Sequence, residues 1–164
     1  MVIITGLPGT GKSTLARELA AVLDARHLNT DIVRGELGMR GQYNAKAKET
    51  VYEELLKRAG ELLQQNQCVI IDGTFYKQSL RNRFLRLARR LDRDIRWIEL
   101  RASEEVIRQR VEKTRPDSEA DFEVYKKIKA IYEPLERGHL VLWSDELTVE
   151  EMTKRAKDFL MLPA

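Results

Sequence analysis

Val2-Ile3-Ile4-Thr5-Gly6-Leu7-Pro8-Gly9-Thr10-Gly11-Lys12-Ser13-Thr14 decides the fold. A short β-rich apolar run enters a G-x-x-x-x-G-K-S pattern, and Leu15, Leu19, Val22 and Leu23 behind it recur at helical spacing. Strand, glycine-rich turn and helix stand in the order that a phosphate-binding loop requires. The glycines let the backbone approach a phosphate where a Cβ would intrude. The N–H groups of the turn and of the helix start then converge on the anion, reinforced by the positive end of the helix dipole. Lys12 is expected to reach the β- and γ-phosphates, and the Ser13 hydroxyl to hold Mg²⁺. Gly6, Pro8, Gly9, Thr10, Gly11, Lys12, Ser13 and Thr14 form the expected nucleotide-contacting set. A glycine turn that binds nothing is the bland alternative, and the full motif in its strand–helix context argues against it. The expected ligand is a nucleoside triphosphate as its magnesium complex. ATP is the default, because the chain contains no N-K-x-D guanine-reading motif.

Outward from this loop, strand and helix patterns alternate. A second strand is expected over 25–29, ending at Thr30-Asp31, with a short helix to Arg34 and a loop punctuated by Gly35, Gly38 and Gly41. A long amphipathic helix follows over 44–65, with Val51, Leu55, Leu56, Leu62 and Leu63 as its core face. Residues 68–71 read as a central parallel strand closed by Asp72-Gly73. A helix over 78–91 carries the apolar stripe Leu80, Phe84, Leu87 and Leu91. Its arginines, Arg81, Arg83, Arg86, Arg89 and Arg90, are expected on solvated faces, with a nucleic-acid patch as the lesser alternative. Strand 95–100, a helix from Ser103, a helix over 118–133 stopped by Pro134, strand 139–143 and a last helix over 148–160 complete the chain. The pattern predicts one three-layer α/β domain over 1–164 with an all-parallel sheet.

Composition narrows the classes. At 164 residues and 43% hydrophobic, the chain can build one proper core. No run approaches a membrane span or a signal peptide, and no membrane or obligate protein partner is expected. The single cysteine, Cys68, is expected to be a buried small hydrophobe in a reducing, cytoplasmic setting. His27 and His139 lack metal-ligand spacing. Residues 77–115 hold 13 Lys/Arg against 6 Asp/Glu in a chain of net charge +3, so an anionic partner is expected near the middle of the sequence.

In an open parallel sheet, ligands gather outside the carboxyl ends of the strands. The first strand delivers the glycine loop, the second Asp31, the third Asp72. Asp72 holds the position of an acidic residue that orients magnesium, often through water, or else caps the following turn. Asp31 fits a general base toward an acceptor hydroxyl, or the N-cap of the short helix behind it. Arg34 shares a helix face with Asp31 and could hold an acceptor phosphate. Arg108, Arg110 and Arg115 surround a polar break at 113–117. They read as a lid over the triphosphate, about 108–120, or as an exposed basic helix end.

Three stretches carry a resemblance: Gly6-Leu7-Pro8-Gly9-Thr10-Gly11-Lys12-Ser13, Asn29-Thr30-Asp31-Ile32-Val33-Arg34 and Ile71-Asp72-Gly73-Thr74-Phe75. They resemble the small P-loop kinases related to the kinase domain of phage-type polynucleotide 5′-kinase. Arg81, Ser118-Glu119-Ala120-Asp121 and Tyr132-Glu133-Pro134 resemble its "predicted kinase" branch. The resemblance implies sheet order 2-3-1-4-5, with Asp31 as the base and Arg34 on the acceptor side. It also implies Arg110 and Arg115 as lid arginines on ATP. The expected activity is ATP-dependent phosphorylation of a hydroxyl. A polynucleotide (RNA or DNA) 5′ end is the first choice. A small molecule (sugar, antibiotic or nucleoside) follows, and then a nucleotide-binding regulatory module with slow hydrolysis.

Overall fold

Five parallel strands form one sheet in the computed structural model, which describes residues 1–112, 122–136 and 138–161. They are β1 (Val2–Thr5), β2 (Arg26–Asn29), β3 (Val69–Asp72), β4 (Arg96–Arg101) and β5 (Leu140–Trp143). Their order is β2-β3-β1-β4-β5, as the resemblance implies. The described helices are α1 (Lys12–Leu23), α2 (Thr30–Glu36), α3 (Ala45–Gln64), α4 (Gln78–Arg90), α5 (Glu104–Val111), α6 (Phe122–Ala130) and α7 (Val149–Met161).

Strand side chains alternate between the two faces, and this sorts the core into two layers. Ile3, Val69 and Ile71 pack with Val51, Leu55 and Phe84 of α3 and α4. Val2, Ile4, Ile70 and Ile98 pack with Leu15, Leu19, Met152 and Ala156 of α1 and α7. β1 and β3 are buried along their whole length, which is why their sequences read as continuous apolar runs rather than alternating ones. Each such side chain contributes about 1.5–3 kcal/mol by leaving water. No described helix is long and apolar enough to cross a membrane.

Four sequence expectations are corrected. Cys68 is exposed, because it lies just outside β3 at the amino edge of the sheet and only its carbonyl joins β2, accepting from the Arg26 N–H. The core face of α3 is built by Ala47, Tyr52, Ala59 and Gly60 beside Val51, Leu55 and Leu63, while Leu56 and Leu62 are half-buried. Arg81 is 2% exposed rather than solvated. Its guanidinium donates to the carbonyls of Phe75 (2.8 Å), Pro134 (2.9 Å) and Glu133. That clamp explains the fourth difference: α6 ends at Ala130, short of residue 133. The chain leaves the helix so that the Glu133 N–H reaches the Tyr76 carbonyl (2.9 Å) and its carboxylate accepts from the Gln78 N–H (2.5 Å). Residues 118–121, where this helix was expected to begin, lie outside the described residues.

Candidate active site

The phosphate loop forms because two glycines occupy places closed to other residues. Gly6 has φ 144°, and a Cβ there would lie 2.2 Å from the Leu100 carbonyl oxygen. Gly9 has φ 87°, and its Cβ would press against Val111 and Ile107 of α5 at 2.9 and 3.1 Å. Gly11, also left-handed, caps α1 without a side chain, and no acidic residue occupies the first turn. The positive end of α1 is thus left for an anion. Pro8, Gly9, Gly11, Lys12, Ser13 and Thr14 line a cleft of about 280 Å³. Gly6 and Thr10, behind that lining, shape the loop. Thr10 is buried, and its hydroxyl donates to the Leu7 carbonyl at 2.9 Å. The Lys12 ammonium donates to the same carbonyl at 3.0 Å, a bond it can exchange for a phosphate oxygen.

Beside Ser13 stands a polar network that the β2–β3 register creates by placing Asn29 opposite Asp72. The Asn29 amide donates to Asp72 Oδ1 at 2.7 Å and to Ser13 Oγ at 3.1 Å, and His27 Nε2 meets Asp72 Oδ1 at 3.0 Å. Asp72 is 1% exposed, and its second oxygen, Oδ2, has no partner among the described residues. An orphaned buried carboxylate oxygen tied through Asn29 to the loop hydroxyl fits a magnesium ion shared with phosphate. Such ions take one or two protein ligands, with phosphates and water completing the shell. Asp72 is engaged by side chains of β2, so its expected alternative as a cap of the next turn is not what the structure builds.

Asp31 opens the other half of the cleft. The cap of α2 is Asn29, whose side-chain oxygen accepts from the N–H groups of Asp31 and Ile32, both at 2.8 Å. Asp31 is relieved of capping, and its carboxylate instead pairs with Arg34 at 2.5 Å, the shared helix face that the sequence predicts. Burial pushes its carboxyl above the usual aspartate value, against the opposing pull of Arg34 and Lys12. Arg34 is buried and lies 4.6 Å from the Tyr43 ring centroid. Tyr43, Lys48, Tyr52, Tyr76, Val124 and Ile128 complete this side.

Arg110 sits at the opposite edge. Its guanidinium donates to Ser144 Oγ (2.8 Å), the Ser144 carbonyl (2.9 Å) and, at 3.4 Å, the Gly9 carbonyl. It therefore joins the end of β5 to the phosphate loop from a helix packed on Gly9. Arg108 lies over the Phe122 ring at 4.4 Å. Arg115 and the rest of the expected lid, 113–120, lie outside the described residues. Sequence reasoning gave no role to Asn29, Arg17, Tyr43, Lys48, Tyr52 or Tyr76, all of which line the cleft. For Asn29 a signal existed, as a capping residue directly before a helix. The tyrosines and Lys48 reach the cleft only through the packing of α3 and the β3–α4 loop.

A family model described as "AAA domain" matches residues 1–135. An uncharacterised protein of Mycobacterium tuberculosis is 32% identical over 154 residues, 86% of this chain and 31% of that protein, so the chain spans about a third of that relative's length. Shikimate kinase of Corynebacterium efficiens is 29% identical over 140 residues, covering 82% of this chain and 80% of the enzyme. The bifunctional polynucleotide phosphatase/kinase of Schizosaccharomyces pombe is 30% identical over 108 residues, 66% of this chain and 22% of that protein. Among solved structures, the Mycobacterium tuberculosis APS kinase with AMPPNP and APS superposes with TM-score 0.78 at 19% identity, covering 98% of this chain and 96% of that one. An unliganded sugar kinase from Janibacter gives 0.76 at 18% identity, with 97% and 92% covered. At these identities the two structures share the fold. With the family match over most of its length, the chain belongs to this AAA-domain family, among its small nucleotide-binding P-loop kinases.

Proposed function

We propose that the protein transfers the γ-phosphoryl group of ATP to a hydroxyl of a small molecule. The observation that carries this reading is the position of Asp31. It lines the same cleft as Lys12 and Ser13, leaves capping to Asn29, and holds a carboxyl that burial has made more basic. Asp31 takes the proton of the acceptor hydroxyl as the oxygen bonds to the γ-phosphorus and the bond to the β–γ bridging oxygen breaks. The loop N–H groups and Lys12 carry the charge that develops on the phosphoryl oxygens, and Arg110 acts from the nucleotide side. Ser13 and Asp72 would hold magnesium, which would supply neutralisation of phosphate charge.

A small acceptor is supported by the cleft itself, whose acceptor side is walled by Tyr43 and Tyr76 and by Val124 and Ile128 of α6. Two arginines of α4 are engaged within the protein, Arg81 internally and Arg83 with Glu49 at 2.5 Å, which weakens this helix as a nucleic-acid track, while Arg86, Arg89 and Arg90 are exposed. A polynucleotide 5′-hydroxyl is the second reading, favoured by the similarity to the fission-yeast enzyme.

The test is phosphoryl transfer from γ-labelled ATP with Mg²⁺ to a panel of sugars, sugar acids, nucleosides and 5′-hydroxyl oligonucleotides. Label in a small molecule, lost with Asp31→Asn, supports the proposal. Label confined to oligonucleotide ends would shift it to the second reading. ATP turnover unchanged by Asp31→Asn with every acceptor would remove the base and the mechanism with it.

A further inference from the structure

We infer that the acceptor already bears a phosphate monoester, seated where Lys48, Arg34 and the first turn of α3 meet; the assignment to an acceptor rests on the kinase reading above. Lys48 is half-buried in the cleft wall, with its ammonium 4.9 Å from the Tyr76 ring centroid. Lys77 approaches the same ring at 5.8 Å from the outside. No carboxylate pairs with Lys48 among the described residues. The nearby acids are spoken for: Asp31 by Arg34, and Glu49 by Arg83, each at 2.5 Å.

The helix adds to the imbalance. Lys48 sits near the amino end of α3, a 20-residue helix with no acidic residue in its first turn and only Asn44 as its cap. That end of a helix is positive and disfavours a cation. Burial, and then Arg34 and Lys77, hold the Lys48 ammonium less basic than an ordinary lysine. Arg34 supplies an independent sign. It is 6% exposed, it stacks on Tyr43 immediately before the α3 cap, and its Nε is buried without an acceptor among the described residues.

Each feature is unfavourable in an empty pocket and favourable around an anion. Lys48 and Arg34 line this side of the cleft with the carboxylate of Asp31, and exposed Lys77 lies beyond the lining. A phosphate monoester offers an acceptor oxygen to each of the two lining cations. Arg34 ties the two ends of the acceptor together. One side of its guanidinium holds Asp31, where the reacting hydroxyl would lie, and the remainder faces the anion.

Titration of inorganic phosphate into protein saturated with Mg²⁺ and AMPPNP tests this, because the analogue fills the phosphate loop first. Phosphate is expected to bind the wild type, and Lys48→Ala to weaken it by about ten-fold or more, the usual cost of a charge-assisted contact. Lys48→Arg should restore most of the loss, and melting temperatures check that the variants fold. In turnover, a phosphorylated alcohol should exceed its dephosphorylated parent in kcat/KM by a similar factor, and Lys48→Ala should abolish that preference. Phosphate binding that is absent, or equal in wild type and Lys48→Ala, overturns the site. A sugar acid preferred over the matching sugar phosphate overturns the choice of phosphate. Binding of AMPPNP is read separately. Its failure would sink the kinase reading, while phosphate titration of Lys12→Ala would still decide the anion site.

Discussion

The nucleotide half and the acceptor half of the cleft are built in opposite ways. The nucleotide half is mostly backbone and local: one strand, one turn and one helix start, contiguous over residues 2–14, with Asp72 added through a single strand pairing. The acceptor half is mostly side chain and dispersed, with Asp31 and Arg34 on α2, Lys48 and Tyr52 on α3, Tyr76 after β3, and Val124 and Ile128 on α6. A local device tolerates no change in its spacing, whereas a dispersed one can be re-dressed residue by residue. The same scaffold can therefore keep one donor and change acceptors.

If the halves are separable, damage to the floor of one should spare the other. Phe75 is that floor on the acceptor side. It is fully buried at φ 44°, and its ring meets Tyr52, Phe84 and Trp97 edge-on at 5.2, 5.1 and 5.6 Å. Phe75→Ala should cost about 3–5 kcal/mol in denaturant unfolding. In the fraction that remains folded, acceptor KM should rise while AMPPNP affinity holds. Breaking the other half is sharper in kinetics than in stability. Lys12→Ala should lower turnover by about 10²–10³-fold, as for loss of one transition-state donor. Its melting temperature should stay near wild type, because Lys12 is only half-buried.

Asn29 serves both halves, capping α2 on one side and holding Asp72 and Ser13 on the other. Asn29→Ala should cost about 1 kcal/mol for the lost cap. It should also raise the magnesium concentration needed for nucleotide binding by about ten-fold, the scale of other supporting contacts to metal ligands. An effect on only one of these readouts would break the link.

The smallest expected effect is in pH. Asp31's raised carboxyl value means that the proton-accepting form appears later as pH rises, so the acid limb of kcat/KM should lie above 3.8. Arg34→Ala removes the largest opposing influence and should move that limb further up. The same shift makes the folded state the tighter proton binder. Stability should therefore fall as pH rises from 3.8 through the folded value, a loss that Asp31→Asn abolishes.

This division also sets what the sequence could reveal. The loop and the five strands were legible because each depends on neighbours in the chain: apolar runs for β1 and β3, and the glycine–lysine spacing for the turn. The strand order, which is not local, was implied only by the resemblance to small P-loop kinases. Asp31 and Asp72 were legible as strand-end carboxylates, although only the structure shows that Asn29 takes the capping role. Arg81 was misread because nothing local announces that residues 133 and 134 return to receive its guanidinium. Tyr43, Lys48 and Tyr76 were silent for the same reason, since their meeting depends on how α3 packs beside the β3–α4 loop.

The most direct measurement pairs AMPPNP affinity with γ-phosphoryl transfer in wild type and Asp31→Asn. Separable halves predict affinity essentially unchanged while transfer falls by about 10²–10⁴-fold, the contribution of a general base. Transfer that survives Asp31→Asn, or affinity that collapses together with it, would contradict the account.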